Sequence, residues 1–224
     1  MIVAIHQPNY IPWSGYFYKI LKSDVFIFLD DAQYTKNSFI NRNRIKTPTG
    51  EAWLTVPVKA SLTDKINEVV YADAQWKKKH IKSLEQNYKK APFFEHYASD
   101  LWEIINQEND HLYILNIALI SYIAEQLSAS CRFMLASEFP SEEKSDLRLI
   151  ELVQRNKGTH YLSGRGGANY QDENNFTAQG ITLAYTDYVP QPYPQLWPEY
   201  IPNLSMLDLL FNCGPDARKI ILGH

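Results

Sequence analysis

The chain has 224 residues, 45% of them hydrophobic and 21% charged, with a formal net charge of −3. That is enough apolar material for a buried core and too little charge for disorder, within one ordinary domain spanning 1–224. The balance supplies no basic face for a nucleic-acid backbone, so no nucleic-acid partner is expected. Two cysteines, Cys131 and Cys213, exclude a disulfide scaffold and fit a reducing compartment.

Ile2–Ile5 is a short apolar run suited to a strand buried on both faces. It ends in the turn His6-Gln7-Pro8-Asn9-Tyr10, after which Trp13, Phe17, Ile20 and Leu21 recur at helical spacing. Val25–Leu29 is a second buried strand, ending in Asp30-Asp31. Strand, helix, strand predicts a right-handed βαβ unit with parallel strands. Pro48, Thr49 and Gly50 then predict a hairpin between 44–47 and 52–58, and Ile66–Tyr71 reads as another strand.

From Gln75 the pattern turns helical, over 75–90, 94–108 and 111–128. Asp73 is placed to cap the first of these helices, and Pro92 divides it from the second. Residues 74–128 form either a helical insertion or helices flanking the sheet. Arg132–Ala136 reads as a strand. Ser145 or Asp146 should cap a helix ending near Gly158, and Thr159–Leu162 and Ile181–Tyr185 are further strands. A Pro/Tyr/Gln loop follows, and a last helix starts at Ser205, with Asp208 at the reach-back position of a capping box. The class is α/β: a Rossmann-like, mostly parallel sheet with an inserted β-hairpin and a helical segment.

No secretory signal or membrane span is expected. The N-terminus has no basic n-region, and the apolar stretch 112–124 falls short of the roughly 20 residues a spanning helix needs. The expected location is the cytoplasm.

Ligands of open α/β sheets bind beyond the carboxyl ends of the strands. Three polar groups follow predicted strands directly: His6 to Tyr10, Asp30-Asp31, and Ser163-Gly164-Arg165-Gly166-Gly167. Parallel strands bring them to one edge. His6 suits a base or a phosphate contact, although a lone histidine also serves as a plain structural residue. Asn9 and Tyr10 add neutral donors and acceptors, and Trp13 with Tyr16 a flat aromatic wall. Asp30 and Asp31 suit sugar hydroxyls or Mg²⁺, and equally a turn cap.

In Asn41-Arg42-Asn43-Arg44 the two arginines should face one way and Asn41 and Asn43 the other, leaving Arg42 to clamp an anion or to line a solvated edge. The run from Ser163 through Asn169 and Tyr170 suits an anion nest or an ordinary glycine turn. Tyr193 and Gln195 belong to the Pro/Tyr/Gln loop, read either as the approach to a docked helix or as a lid touching substrate. Nothing in the sequence matches a GxSxG elbow, an HExxH helix or a zinc spacing, and no metal ligands are assigned.

The segments HQPNYIPWSGYF, VFIFLDDAQYTKNSFINRNRIKT, WLTVPV, YLSGRGGANY and LSMLDLLFNCG together resemble the WbqC-like family, from the first residues almost to the last. The resemblance implies a place in bacterial surface-polysaccharide or O-antigen synthesis. Its small-molecule partners would be a sugar nucleotide and an acyl or aminoacyl donor. A second resemblance is to the α/β group with a His-x-Gly-His signature: cytidylyltransferases, pantothenate synthetase and class I aminoacyl-tRNA synthetases. Trp13-Ser14-Gly15-Tyr16 stands in the signature's place, keeping the glycine and neither histidine. That supports the fold and speaks against nucleotidyl transfer, because those histidines face the triphosphate.

Three functions stay open. The first is acyl or aminoacyl transfer to an amino-sugar nucleotide, with His6 and Asp30 catalytic and Arg42 and residues 163–167 holding phosphates. The second is a nucleotidyltransferase or adenylate-forming ligase, the only one that brings Mg²⁺ as cofactor. The third is non-catalytic binding of a sugar nucleotide. Oligomeric state is not read from the sequence.

Overall fold

A computed structural model describes residues 1–61 and 63–223. Its centre is a five-stranded, wholly parallel sheet. The strands are β1 (Ile2–His6), β2 (Val25–Phe28), and three others. Between β2 and those three the chain inserts a hairpin, β3 (Arg42–Thr47) and β4 (Gly50–Thr55), a small ribbon of β5 (Val58–Lys59) and β6 (Val70–Tyr71), and three helices. The remaining sheet strands are β7 (Arg132–Leu135), β8 (His160–Ser163) and β9 (Thr182–Tyr185). The spatial order β7-β2-β1-β8-β9 makes the sheet doubly wound: from β1 the chain builds outward one way, then returns to build the other way from β8. The switch point is the crevice between β1 and β8.

Alternation along the strands divides the core. Ala4, Phe26 and Phe28 face one side, and Val3, Ile5, Val25 and Ile27 the other. The first side is covered by α1 (Ser14–Leu21), α2 (Gln75–Tyr88), α3 (Phe94–Asn106), α4 (Leu112–Gln126), α7 (Met206–Cys213) and α8 (Ala217–Leu222). Within this layer α4 meets α1, and α3 meets α7. The second side is covered by α5 (Ser145–Arg155) and α6 (Glu173–Thr177). Among the described residues no helix is long and apolar enough to cross a membrane.

Several local expectations are corrected. Ile66–Tyr71 is not one strand. Ile66–Glu68 is a 3₁₀ turn held by the Ile66 amide on the Ala32 carbonyl and the Asn67 amide on the Asp30 carbonyl, so only Val70 and Tyr71 pair. Helix α5 carries no side-chain cap from Ser145 or Asp146. The Asp146 carboxylate accepts instead from the Asp172 amide and from Asn175 Nδ2, both at 3.0 Å, and so ties α5 to α6.

Gly158 is not the left-handed residue after α5; Lys157 is, at φ 56°. Gly158 is needed for space, because a Cβ there would lie 2.5 Å from Val3 Cγ2. Ser205 does cap α7, accepting from the Leu207 amide at 3.3 Å. Asp208 does not reach back to complete a capping box. Its carboxylate accepts from the Tyr88 and Tyr193 hydroxyls, both at 2.8 Å.

Candidate functional site

A cleft of about 1000 Å³ opens at the carboxyl ends of β1 and β8. Its floor and walls include His6, Gln7, Lys19, Asp31, Ser163, Gly164 and Tyr170. Of the residues picked from the sequence, these, Lys19 excepted, are brought together with Gly166 and Gly167. They share the cleft because β1 and β8 are parallel neighbours, in register from Ile2–His160 to Ala4–Leu162, and leave the sheet at the same level.

The His6 ring rests edge-on against Tyr16, with centroids 4.8 Å apart. Tyr16 is itself fixed by donating its hydroxyl to the Gln7 carbonyl at 3.0 Å. His6 Nδ1 lies 3.1 Å from that same carbonyl, which only accepts, so Nδ1 carries the proton and Nε2 keeps a lone pair. Burial, then the nearby Lys19 charge, pull the His6 pKa down to about 3, against the smaller opposing effect of the Gln7 hydrogen bond. His6 as a whole is half-buried and lines the cleft. The direction decides its chemistry: His6 is neutral at pH 7 and accepts hydrogen bonds there.

Lys19 is the residue that the helical pattern conceals. It is 3% exposed. Its ammonium donates to the Ile5 carbonyl at 2.8 Å and lies 5.8 Å from the Phe26 ring centroid. Burial lowers its pKa to about 7. The signal available in sequence was that Lys19 is the only charged residue in SGYFYKIL, set between Phe17 and Ile20 on the apolar face.

The other sequence candidates lie elsewhere. Asp30 is buried and does not line the cleft. Its carboxylate accepts from the Ser137 amide at 3.0 Å, Ser137 Oγ at 2.7 Å and Asn67 Nδ2 at 3.3 Å, and so anchors two loops. Asp31 turns the other way, into an ion pair with Arg148 Nη2 at 2.9 Å. The two aspartates therefore do not act as an adjacent pair. Among the described residues no three His, Cys, Asp or Glu side chains gather where they would hold a metal ion.

Asn9 is buried outside the cleft lining, and Tyr10 is fully buried with its hydroxyl 2.8 Å from His80 Nδ1. Trp13 packs on Tyr188 rather than on a ligand wall. The hairpin splits its side chains as expected. Asn41 donates to the Val56 carbonyl and Asn43 to those of Tyr10 and Ile11, while Arg42 lies over the Trp53 ring at 4.4 Å. Arg42 is not part of the cleft lining, so the expected anion clamp is not formed there.

Asn169 is exposed and outside the lining. Tyr193 and Gln195 are not a lid over this cleft. Tyr193 serves Asp208, and Gln195 Oε1 accepts from the buried Lys46 ammonium at 2.9 Å. Lys46 also donates to the carbonyls of Trp197 and Glu199, so the proline-rich loop is pinned to β3.

The fold is that of a doubly wound α/β protein, with its candidate site at the switch point. The WbqC-like protein family model matches residues 7–220, and the chain belongs to that family. An uncharacterized protein of Mycobacterium tuberculosis, Rv1507c, is 40% identical over 219 residues, covering 96% of this chain and 95% of its own. No solved structure matches the chain.

Proposed function

We propose that this chain is a cytoplasmic transferase of bacterial surface-polysaccharide synthesis, moving an acyl or aminoacyl group onto the amine of an amino-sugar nucleotide. The observation that carries the reading is the β1–β8 cleft with a neutral, acceptor-ready His6 on its wall. A volume of about 1000 Å³ stands at the upper end of small-molecule sites, which suits two reactants held side by side.

In this reading His6 Nε2 accepts an N–H of the acceptor amine and turns its lone pair toward the acyl carbon. A C–N bond forms, the bond from the acyl carbon to its carrier breaks, and the carrier leaves with that electron pair. The amine's surplus proton passes to the leaving carrier or to water, while His6 Nε2 orients the attacking amine through its N–H. Ser163 and Gly164 form the wall facing His6, and Asp31, fixed by Arg148, borders the sugar end.

The test is incubation of the protein with amino-sugar nucleotides and acyl or aminoacyl donors, with products read by mass spectrometry. The reading expects an acylated sugar nucleotide. His6→Ala should lower its formation on the order of 10²-fold or more with the fold intact. Pyrophosphate release with a nucleoside triphosphate would favour the ligase alternative, and tight binding without turnover the non-catalytic one.

A further inference from the structure

The β1–β8 ladder stops one residue short of the cleft. In β1 the carbonyls of Ile2 and His6 face β2, where they accept from the amides of Asp24 and Leu29. Carbonyls alternate sides along a strand, so that of Ile5 faces β8. Paired residues end at Ala4–Leu162, and the Ile5 carbonyl accepts from Lys19 Nζ. Lys19 thus reaches from α1 into the gap where the two strands part.

We propose that Lys19, with the glycines at 164 and 166, forms a seat for a phosphoryl oxyanion in this gap. Three observations converge on it. The Lys19 side chain is 3% exposed, yet among the described residues its ammonium has one hydrogen-bond partner, a neutral carbonyl, and no carboxylate. An ammonium has three protons to donate, and a buried charge without a counter-charge is costly. The four carboxylates of the cleft wall do not supply one: Asp31 is paired with Arg148, Asp146 is engaged by Asp172 and Asn175, and neither Glu142 nor Glu143 forms an ion pair with Lys19. Burial holds Lys19 near the point where it gains or loses its proton at neutral pH, and an arriving anion favours the charged form.

The glycines give the second wall. Neither Gly164 nor Gly166 has a positive φ, and a Cβ on either would meet nothing within 4 Å. Backbone conformation and packing therefore do not require glycine at these positions. Both line the cleft, where a bare backbone lets a ligand approach closely. Gly167 differs, since its Cβ would lie 2.3 Å from Ser163 Oγ; it is glycine for internal packing.

The seat takes this cleft as the binding site and, if the substrate is a sugar nucleotide, places its phosphates; it does not depend on the transfer reaction. The test is isothermal titration of the full chain with inorganic phosphate, pyrophosphate and acetate, repeated on Lys19→Met and Gly166→Val. The seat predicts that phosphate and pyrophosphate bind the wild type better than acetate. It also predicts that both substitutions weaken this binding about tenfold or more, with circular dichroism unchanged.

Lys19→Met removes an uncompensated charge and leaves the Ile5 carbonyl without its donor, two opposing effects, so its melting temperature should stay close to the wild type's. Were it to misfold, Gly166→Val, which leaves Lys19 in place, decides. Phosphate binding that survives in a folded Lys19→Met protein, or no phosphate or pyrophosphate binding by the wild type, overturns the seat. Acetate bound as tightly as phosphate overturns the phosphoryl assignment. Phosphate bound through Lys19 without any transfer product leaves the seat standing and removes the transferase reading. Transfer by Lys19→Met at unchanged KM for the sugar nucleotide does the reverse.

Discussion

His80 shows how a buried polar residue is satisfied without charge. Its Nε2 donates to the Thr55 carbonyl at 3.2 Å, and its Nδ1 accepts from the Tyr10 hydroxyl at 2.8 Å, which fixes the neutral tautomer. Burial pulls its pKa down to about 4, with the Thr55 bond opposing. The unfolded chain then binds one more proton than the native one between pH 6.5 and 4, so stability falls as pH falls through that window. The loss is of order 3 kcal/mol at its lower end. His6, held still lower, adds to the same limb, so His80→Gln should reduce it by about half in urea denaturation curves taken across pH 4–7; an unchanged slope would show that His80 is not a source.

Tyr193 and Asp208 carry a second prediction at the same scale. Tyr193→Phe removes one of the two hydroxyls donated to a fully buried carboxylate. The cost should be about 2 kcal/mol, a drop in melting temperature of roughly 4–8 °C, with ligand binding unaffected. Lost binding at unchanged stability would instead restore the lid.

At the scale of elements, β1, β2 and β8 were readable as short apolar runs closed by polar turns, because a strand buried on both faces has little else it can be. His6 and Ser163 were readable for the same reason, as they terminate such strands. What escaped the sequence is set by partners far along the chain. Lys19 stands on the apolar face of α1, yet what its ammonium reaches is settled only once α1 is docked and the Ile5 carbonyl is found beneath it. Tyr193 and Gln195 look like substrate contacts until Asp208 and Lys46 claim them. Asp30 looks catalytic until Ser137, over a hundred residues on, is seen to occupy it.

Gly158 belongs with these, since the closest atom to a Cβ there is on Val3 of β1, 155 residues away. Gly158→Ala should cost about 1–3 kcal/mol by overpacking, read as a lower denaturation midpoint at unchanged m-value. A neutral result would mean that α5 can shift away from β1 without loss.

For the whole molecule, the order β7-β2-β1-β8-β9 puts the strand-end groups of β1 and β8 at one place. The hairpin and the proline-rich loop are held by their own networks outside the cleft lining. A smaller hollow of about 270 Å³, lined by Tyr18, Lys22, His160 and Asp187 among others, offers a rival location. The central claim is that the β1–β8 crevice is the binding site. The most direct measurement is a crystal structure of the protein with a UDP-linked amino sugar. The account predicts ordered ligand in the crevice, its amine about 3 Å from His6 Nε2 and its phosphates against Lys19 and Gly164–Gly166. Ligand ordered in the smaller hollow or on the hairpin, with the crevice holding only water, would contradict it.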